Sequence, residues 1–211
     1  MFGKFITIEG TEGAGKTTAI QAILEVLQTL GVSETIVTRE PGGTDISEKI
    51  RNILLDSSLT NMHEDTELLL MFAARAQHWN QKILPFLQKG SWVVADRFVD
   101  SSFAYQGGGR NIDFTKISTL ENMILQGSKP DLTLLLDIDP EIGMVRAKQR
   151  NSLDRFEQEK MDFFARVREV FLLRASQDPD RFVIIDASLS ADEVSLKVKN
   201  VVEEFYVSLA N

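Results

Sequence analysis

Eight consecutive residues, Gly10-Thr11-Glu12-Gly13-Ala14-Gly15-Lys16-Thr17, carry the densest chemical signal in the chain, and Thr18 repeats the final hydroxyl. They match the pattern G-x-x-x-x-G-K-[ST] at every fixed position. Glycines at 10, 13 and 15 let backbone approach a polyphosphate without Cβ clashes and turn successive N–H groups inward. Lys16 can then reach the terminal phosphates, and Thr17 offers a hydroxyl to Mg²⁺. The chemistry is that of a bound nucleoside triphosphate. Glu12 is out of place in such a cradle, because a carboxylate about 4 Å from a phosphate costs on the order of 1 kcal/mol even in water. Its side chain is expected to point out of the turn toward a hydroxyl donor or a cation, which implies a second ligand beside the triphosphate.

Further candidates recur where apolar runs end. Arg39 and Glu40 precede the turn Pro41-Gly42-Gly43-Thr44, and Asp96-Arg97 leads into Phe98-Val99-Asp100-Ser101-Ser102-Phe103-Ala104-Tyr105-Gln106. Gly107-Gly108-Gly109 before Arg110 reads as a mobile or tightly turned loop. Met71, Phe72, Arg75 and His78 fall at helical spacing and share a face, with Arg75 the polar exception amid apolar surface. Arg146, Lys148, Arg150 and Arg155 crowd cations into an acidic chain and read as a basic flap over the phosphates, at about 146–157. His63 and His78 are isolated, so no metal set is built from them, and both read as structural or surface residues.

Positioning these residues requires strands that deliver them to one edge. Strands are expected at 5–9, 34–40, 91–95, 132–138 and 182–186 from their apolar runs. Helices are expected from Thr17, over 45–56 with Ile46, Ile50, Ile53 and Leu54 inward, and over 65–89 with a kink or break at Pro85. More follow at 113–126, from Pro140, up to about 176, and at 191–209. Alternation of this kind gives an α/β fold: a five-stranded parallel sheet with helices on both faces. Ligands in such sheets sit at the carboxyl edge, where Arg39, Glu40, Asp96 and Arg97 emerge. The expectation is a single domain over 1–211.

Composition narrows the partners. The chain has 211 residues, 43% hydrophobic and 26% charged, which is ordinary for a soluble globular protein. A net charge of −8 disfavours nucleic acid, whose backbone wants a basic footprint. No apolar run approaches a membrane span and no signal-peptide pattern opens the sequence. The absence of cysteine excludes disulfides and thiolate metal sites and is compatible with a reducing cytoplasm, where the chain is expected to work.

Three chemistries fit a triphosphate site: a kinase acting on nucleotides, a kinase for a small alcohol, and a nucleotide switch. A switch should carry D-x-x-G, which is absent, and Ser128-Lys129-Pro130-Asp131 imitates a guanine reader but precedes a strand rather than following one. An alcohol acceptor needs a base. A phosphate acceptor is already anionic and needs clustered cations instead, and Lys16, Arg39, Arg51, Arg75, Arg97, Arg110, Lys148, Arg150 and Arg155 supply them.

The chain resembles the thymidylate (dTMP) kinases, nearly end to end. The likeness rests on Glu9 through Thr18, on Thr38-Arg39-Glu40-Pro41-Gly42-Gly43-Thr44, on Asp96-Arg97-Phe98 with Ala104-Tyr105-Gln106-Gly107, and on Leu153-Asp154-Arg155-Phe156-Glu157. It implies a P-loop fold of the nucleoside monophosphate kinase type, transfer of phosphate from ATP to dTMP, a Mg²⁺ cofactor and a homodimer. By the same resemblance residues 10–18 hold ATP, and Thr17 and Asp96 place the metal. Glu12 accepts from the 3′-hydroxyl, and Arg97 and Arg39 bind the acceptor phosphate. Pro41, Arg51 and Ser102 belong to the substrate pocket, with Arg51 at its rim. Phe72 stacks on thymine, with Met71 as the alternative, Arg75 and Gln106 read its polar edge, and Tyr105 closes against the sugar. Gly13 stands where one branch of the family has a basic residue. That likeness to the bacterial branch makes Arg150 the transition-state cation, with Arg155 or Arg146 second. Arg150→Ala is accordingly expected to lower kcat more than it raises KM in a steady-state assay; an unchanged kcat would remove Arg150 from that role.

Overall fold

The computed structural model describes residues 2–148 and 154–209. Strands β1 (Phe5–Glu9), β2 (Thr35–Arg39), β3 (Trp92–Asp96), β4 (Leu132–Asp137) and β5 (Phe182–Asp186) form a parallel sheet in the order β2-β3-β1-β4-β5. The helices, in chain order, are α1 (Lys16–Thr29), α2 (Asp45–Leu55), α3 (Glu64–His78), α4 (Leu84–Gln88), α5 (Val99–Ser102), α6 (Phe114–Leu125), α7 (Pro140–Lys148), α8 (Met161–Gln177) and α9 (Ala191–Ser208).

Strand periodicity divides the core. Ile6 and Ile8 of β1, with Leu134 and Leu136 of β4, face α1 and α9 and pack on Ile23, Leu27, Val194 and Val198. Phe5, with Val93 and Ala95 of β3, faces the opposite side and packs under Phe72 of α3 and Ile117 of α6. Leu135 and Phe182 meet Phe164, Val167 and Phe171 of α8 on that same side of the sheet. Asp131, from the stretch that imitates a guanine reader, accepts the Phe5 N–H at 2.8 Å and pairs with Lys4, so it braces the sheet instead.

Local signals set the helix starts. Thr44 caps α2 by accepting from the Ser47 N–H, His63 Nδ1 accepts from the Asp65 N–H at α3, and Ser190 with Glu193 forms a capping box on α9. At α1 the turn comes instead from Gly15 in the left-handed region, at φ 88°.

The structure departs from the sequence-based expectation in three places. The helix expected over 65–89 is α-helical only to His78, then widens into a π turn at Trp79–Ile83 before α4. Pro85 explains the change, since it lacks an N–H for the carbonyl one turn back and its ring crowds the preceding turn. Second, the glycine triplet is not a loop. Phe103–Gly109 forms a buried π-helical segment that packs against α8. A Cβ at Gly108 would meet Val170 Cγ2 at 2.7 Å and the Arg166 carbonyl oxygen at 2.8 Å, and one at Gly109 would collide with the Phe163 ring. The glycines serve close helix packing, and Arg166 donates to the freed carbonyls of Gly108 and Gly109. Third, only Leu54 of the expected inner face of α2 is buried. Ile46 and Ile53 are 52% and 46% exposed, so that face of the helix looks outward.

Candidate active site

The loops that leave β1, β2 and β3 at their carboxyl ends surround a cleft of about 190 Å³. Glu12, Gly13 and Lys16 supply its phosphate-binding end; Pro41, Arg51, Met71, Arg75, Ser102 and Gln106 line the other end; Arg97, Ser101 and Tyr105 lie on its wall as well. Asp154, Phe156 and Glu157 close it from the segment after residue 153.

In the phosphate-binding turn Lys16 Nζ donates to the carbonyls of Gly10 and Thr11, each at 3.2 Å. Burial, with the Arg97 charge nearby, pushes its ammonium down to about 8. Gly15, Thr17 and Thr18 stand exposed at the start of α1, open to a ligand. Gly13 is held by packing: a Cβ there would run into the Gly143 backbone of α7, which leaves no room for a basic side chain.

Glu12 does point toward a hydroxyl donor and a cation. Its carboxylate accepts from the Tyr105 hydroxyl at 2.7 Å and from Arg97 Nη2 at 3.1 Å. Arg97 occupies the left-handed region, φ 68°, which turns its side chain back across the cleft, and its guanidinium lies 4.8 Å from the Tyr105 ring centroid. Glu9 holds this turn from beneath by accepting the Phe98 N–H at 2.8 Å and the Ser101 hydroxyl at 2.6 Å; Ser101 in turn accepts from Arg97 Nη1. Burial and the neighbouring Asp100 carboxylate push the Glu9 carboxyl up to about 7. The sequence assigns Glu9 no role beyond its place in the resemblance; its signal is a carboxylate directly before the glycine-rich turn, ending the run Phe5-Ile6-Thr7-Ile8.

At the far end Arg75 is fixed on every side. Nε donates to Glu40 at 2.8 Å, Nη1 to Ser102 Oγ at 2.9 Å and Nη2 to the Phe98 carbonyl at 3.1 Å. His78, read from the sequence as structural or surface, is buried and bridges Thr38 and Glu40. Met71, not Phe72, lines the cleft. Phe72 is 1% exposed within the core, and the Arg75 guanidinium lies over its ring at 4.6 Å. The i, i+3 spacing puts Phe72 beneath Arg75, whereas Met71 is one turn back on the open side.

Several expected cations are engaged elsewhere. Arg110 pairs with Glu67 and Glu159, and Arg155 pairs with Glu67 and donates to the Leu54 carbonyl; neither lines the cleft. Arg146 donates to the carbonyls of Ala187 and Ser188, just past the end of β5. Arg39 is outside the lining and pairs with Glu48 at 3.1 Å, while Arg51 donates to the Pro41 carbonyl. Arg150 and Leu153 lie outside the described residues.

A divalent cation fits the oxygen donors at the phosphate end. Asp96 Oδ1 is buried without a hydrogen-bond partner, and Thr17 adds an exposed hydroxyl. Two oxygen donors are enough for Mg²⁺, which takes few protein ligands and completes its shell with water and phosphate.

Comparison with known proteins agrees with this geometry. The family model for thymidylate kinase matches residues 8–198. A thymidylate kinase of Hahella chejuensis is 50% identical over 196 residues, 93% of this chain and 94% of the relative. One from Alcanivorax borkumensis is 48% identical over 204 residues, 97% of this chain and 98% of the relative. The crystal structure of thymidylate kinase from Ehrlichia chaffeensis superposes with a TM-score of 0.77 at 31% identity, covering 96% of this chain and 99% of that one.

Glu9 generates a prediction for stability. A carboxyl group raised by folding from 4.5 to about 7 contributes stability that is complete below pH 4.5 and is lost as the pH climbs through about 7. Glu9→Gln is expected to flatten the Tm-against-pH curve across that window and to melt higher than the parent at more alkaline pH. Calorimetric melting across the range checks this, and parallel curves for the two proteins would show that Glu9 does not carry the slope.

Proposed function

The chain belongs to the thymidylate kinase family and transfers the terminal phosphoryl group of ATP to dTMP, giving ADP and dTDP; we propose the following division of that work among its residues. The observation that carries the assignment is that the phosphate-binding turn and the Arg75–Gln106 wall open on one cleft, with Arg97 and Glu12 between them.

Residues 10–18 hold the ATP phosphates, with the loop N–H groups and Lys16 directed at them. Thr17 and Asp96 would hold Mg²⁺, which when bound offsets charge on the transferring phosphoryl group. Arg97 receives the acceptor phosphate. That phosphate is already anionic, so no base is assigned, and the protein's contribution is to align two polyanions and offset their repulsion. Glu12 accepts from the 3′-hydroxyl in place of its present donors, and Tyr105 stands against the sugar. Pro41, Arg51 and Met71 enclose the base, while Arg75 and Gln106 read its polar edge beside Ser102. Arg39 reaches the acceptor phosphate by leaving Glu48. Arg150 is the transition-state cation, because packing of Gly13 on Gly143 bars one from the turn.

The same reading makes the chain a single cytoplasmic kinase domain that acts as a homodimer. No helix among the described residues is long and apolar enough to cross a membrane. Ile46 and Ile53 of α2 and Leu69 of α3 are 52%, 46% and 57% exposed on adjacent helices, an apolar face suited to a second copy. Sedimentation at micromolar concentration reads the dimer directly, and a monomer there would remove that proposal.

ADP release from ATP-Mg²⁺ should be fastest with dTMP in a panel that includes dUMP, dCMP, dGMP, AMP and water. The dUMP margin corresponds to about 1–3 kcal/mol, since one methyl in an apolar pocket supplies no more. Lys16→Ala and Arg97→Ala are expected to lose nearly all transfer while remaining folded. Equal kcat/KM for dTMP and dUMP would contradict a thymine-shaped pocket.

A further inference from the structure

Gln106 carries two ends of nearly the same shape, a donor at Nε2 and an acceptor at Oε1, and the end that faces the ligand decides which base it can read. Nε2 donates to Glu67 Oε1 at 2.9 Å. Glu67 is 1% exposed, and its carboxylate is paired with Arg110 at 3.1 Å and Arg155 at 2.7 Å. A carboxylate in two ion pairs presents acceptor oxygens alone, so an amide turned the other way would set oxygen against oxygen in a buried site. Gln106 itself lines the cleft, which leaves Oε1 as the atom it offers there. Arg75 beside it is a donor in every direction, held by Glu40, Ser102 and the Phe98 carbonyl.

We propose that Glu67 determines base specificity by locking the Gln106 amide with its oxygen toward the ligand, so that the cleft takes a pyrimidine presenting a ring N–H beside a carbonyl and rejects one presenting a bare ring nitrogen beside an amino group. This deepens the assignment of Gln106 as a base reader and rests on it. Thymine and uracil have the accepted edge. Cytosine reverses both polarities: its amino group meets the Arg75 guanidinium and its ring nitrogen meets the Gln106 oxygen, and neither mismatch is relieved while Glu67 holds Nε2. Glu67 acts through Gln106 and is a positioning residue. In the sequence it is one more acid in the first turn of α3, where the helix dipole alone would account for it.

The test compares dTMP with 5-methyl-dCMP, which keeps the methyl, sugar and phosphate and changes only the polar edge. In the Glu67→Gln variant a carboxamide faces Gln106 and can pair with either of its ends. The preference for dTMP, taken as the ratio of kcat/KM values, is expected to narrow by about tenfold or more, chiefly through a gain with 5-methyl-dCMP, while the KM for ATP stays unchanged. A loss shared equally by both nucleotides, with the ratio intact, would mark a merely structural role and overturn the inference. Gln106→Leu separates the two levels. If it leaves the ratio untouched, the base-reader assignment falls and the lock with it. If it collapses the ratio while Glu67→Gln preserves it, the lock alone falls. Should Glu67→Gln not fold, the parent protein gives the answer by NMR. The Gln106 side-chain amide protons, assigned by their disappearance in Gln106→Leu, are expected to resist exchange with solvent in the free enzyme, and rapid exchange would overturn the proposal.

Discussion

A guanidinium taken out of water needs carboxylates or carbonyls around it, and that constraint shapes this cleft from end to end. Arg97 lies between Glu12 and Ser101, Arg75 between Glu40, Ser102 and the Phe98 carbonyl, and Arg110 and Arg155 converge on Glu67. A further buried acid, Asp100, receives Arg174 and Arg181 and so ties the turn after β3 to α8 and to the start of β5. Arg75 is held this way on three sides, which is the condition for electrostatic complementarity without reorganisation when a ligand enters. These arginines, with Arg51, fall into two groups. Arg51, Arg75 and Arg97 reach the cleft, whereas Arg110, Arg155, Arg174 and Arg181 hold the walls.

The turn at Arg97 shows how much structure one such side chain requires. A non-glycine residue at φ 68° is disfavoured, and it persists here because the chain is pinned on both sides. Glu9 grips the Phe98 N–H and the Ser101 hydroxyl, and Asp100 anchors the next residues through two arginines. The buried Glu9 carboxyl opposes ionisation near neutral pH, so part of the stability supplied by the apolar core is offset by the residue that sets this turn.

Close packing decides where charge can enter. Gly13 and Gly143 bring the phosphate-binding turn against α7 so tightly that a side chain at either position would strike the other segment's backbone. The glycines of Phe103–Gly109 bring α8 against the segment that carries Tyr105 and Gln106. In both places the absence of a side chain fixes the position of a neighbouring functional one.

The amino-acid sequence by itself determined the parallel sheet and the triphosphate turn, because both are written locally. Apolar runs of strand length and a strand–glycine–helix motif need only near neighbours to be read, and β1 and β5 fall on their expected residues. The outward turn of Glu12 was also legible, since a carboxylate is repelled by the phosphate that the surrounding N–H groups hold. Tertiary structure alone decided which arginines line the cleft, because Glu67 lies 43 positions from Arg110 and 88 from Arg155, and no local pattern joins them. It alone placed Met71 on the cleft and Phe72 under Arg75, since helical spacing defines a stripe but not which side of it is covered. It also turned a glycine triplet from an expected loop into a buried helix, because only the approach of α8 shows that the missing side chains make room for a neighbour rather than for a bend.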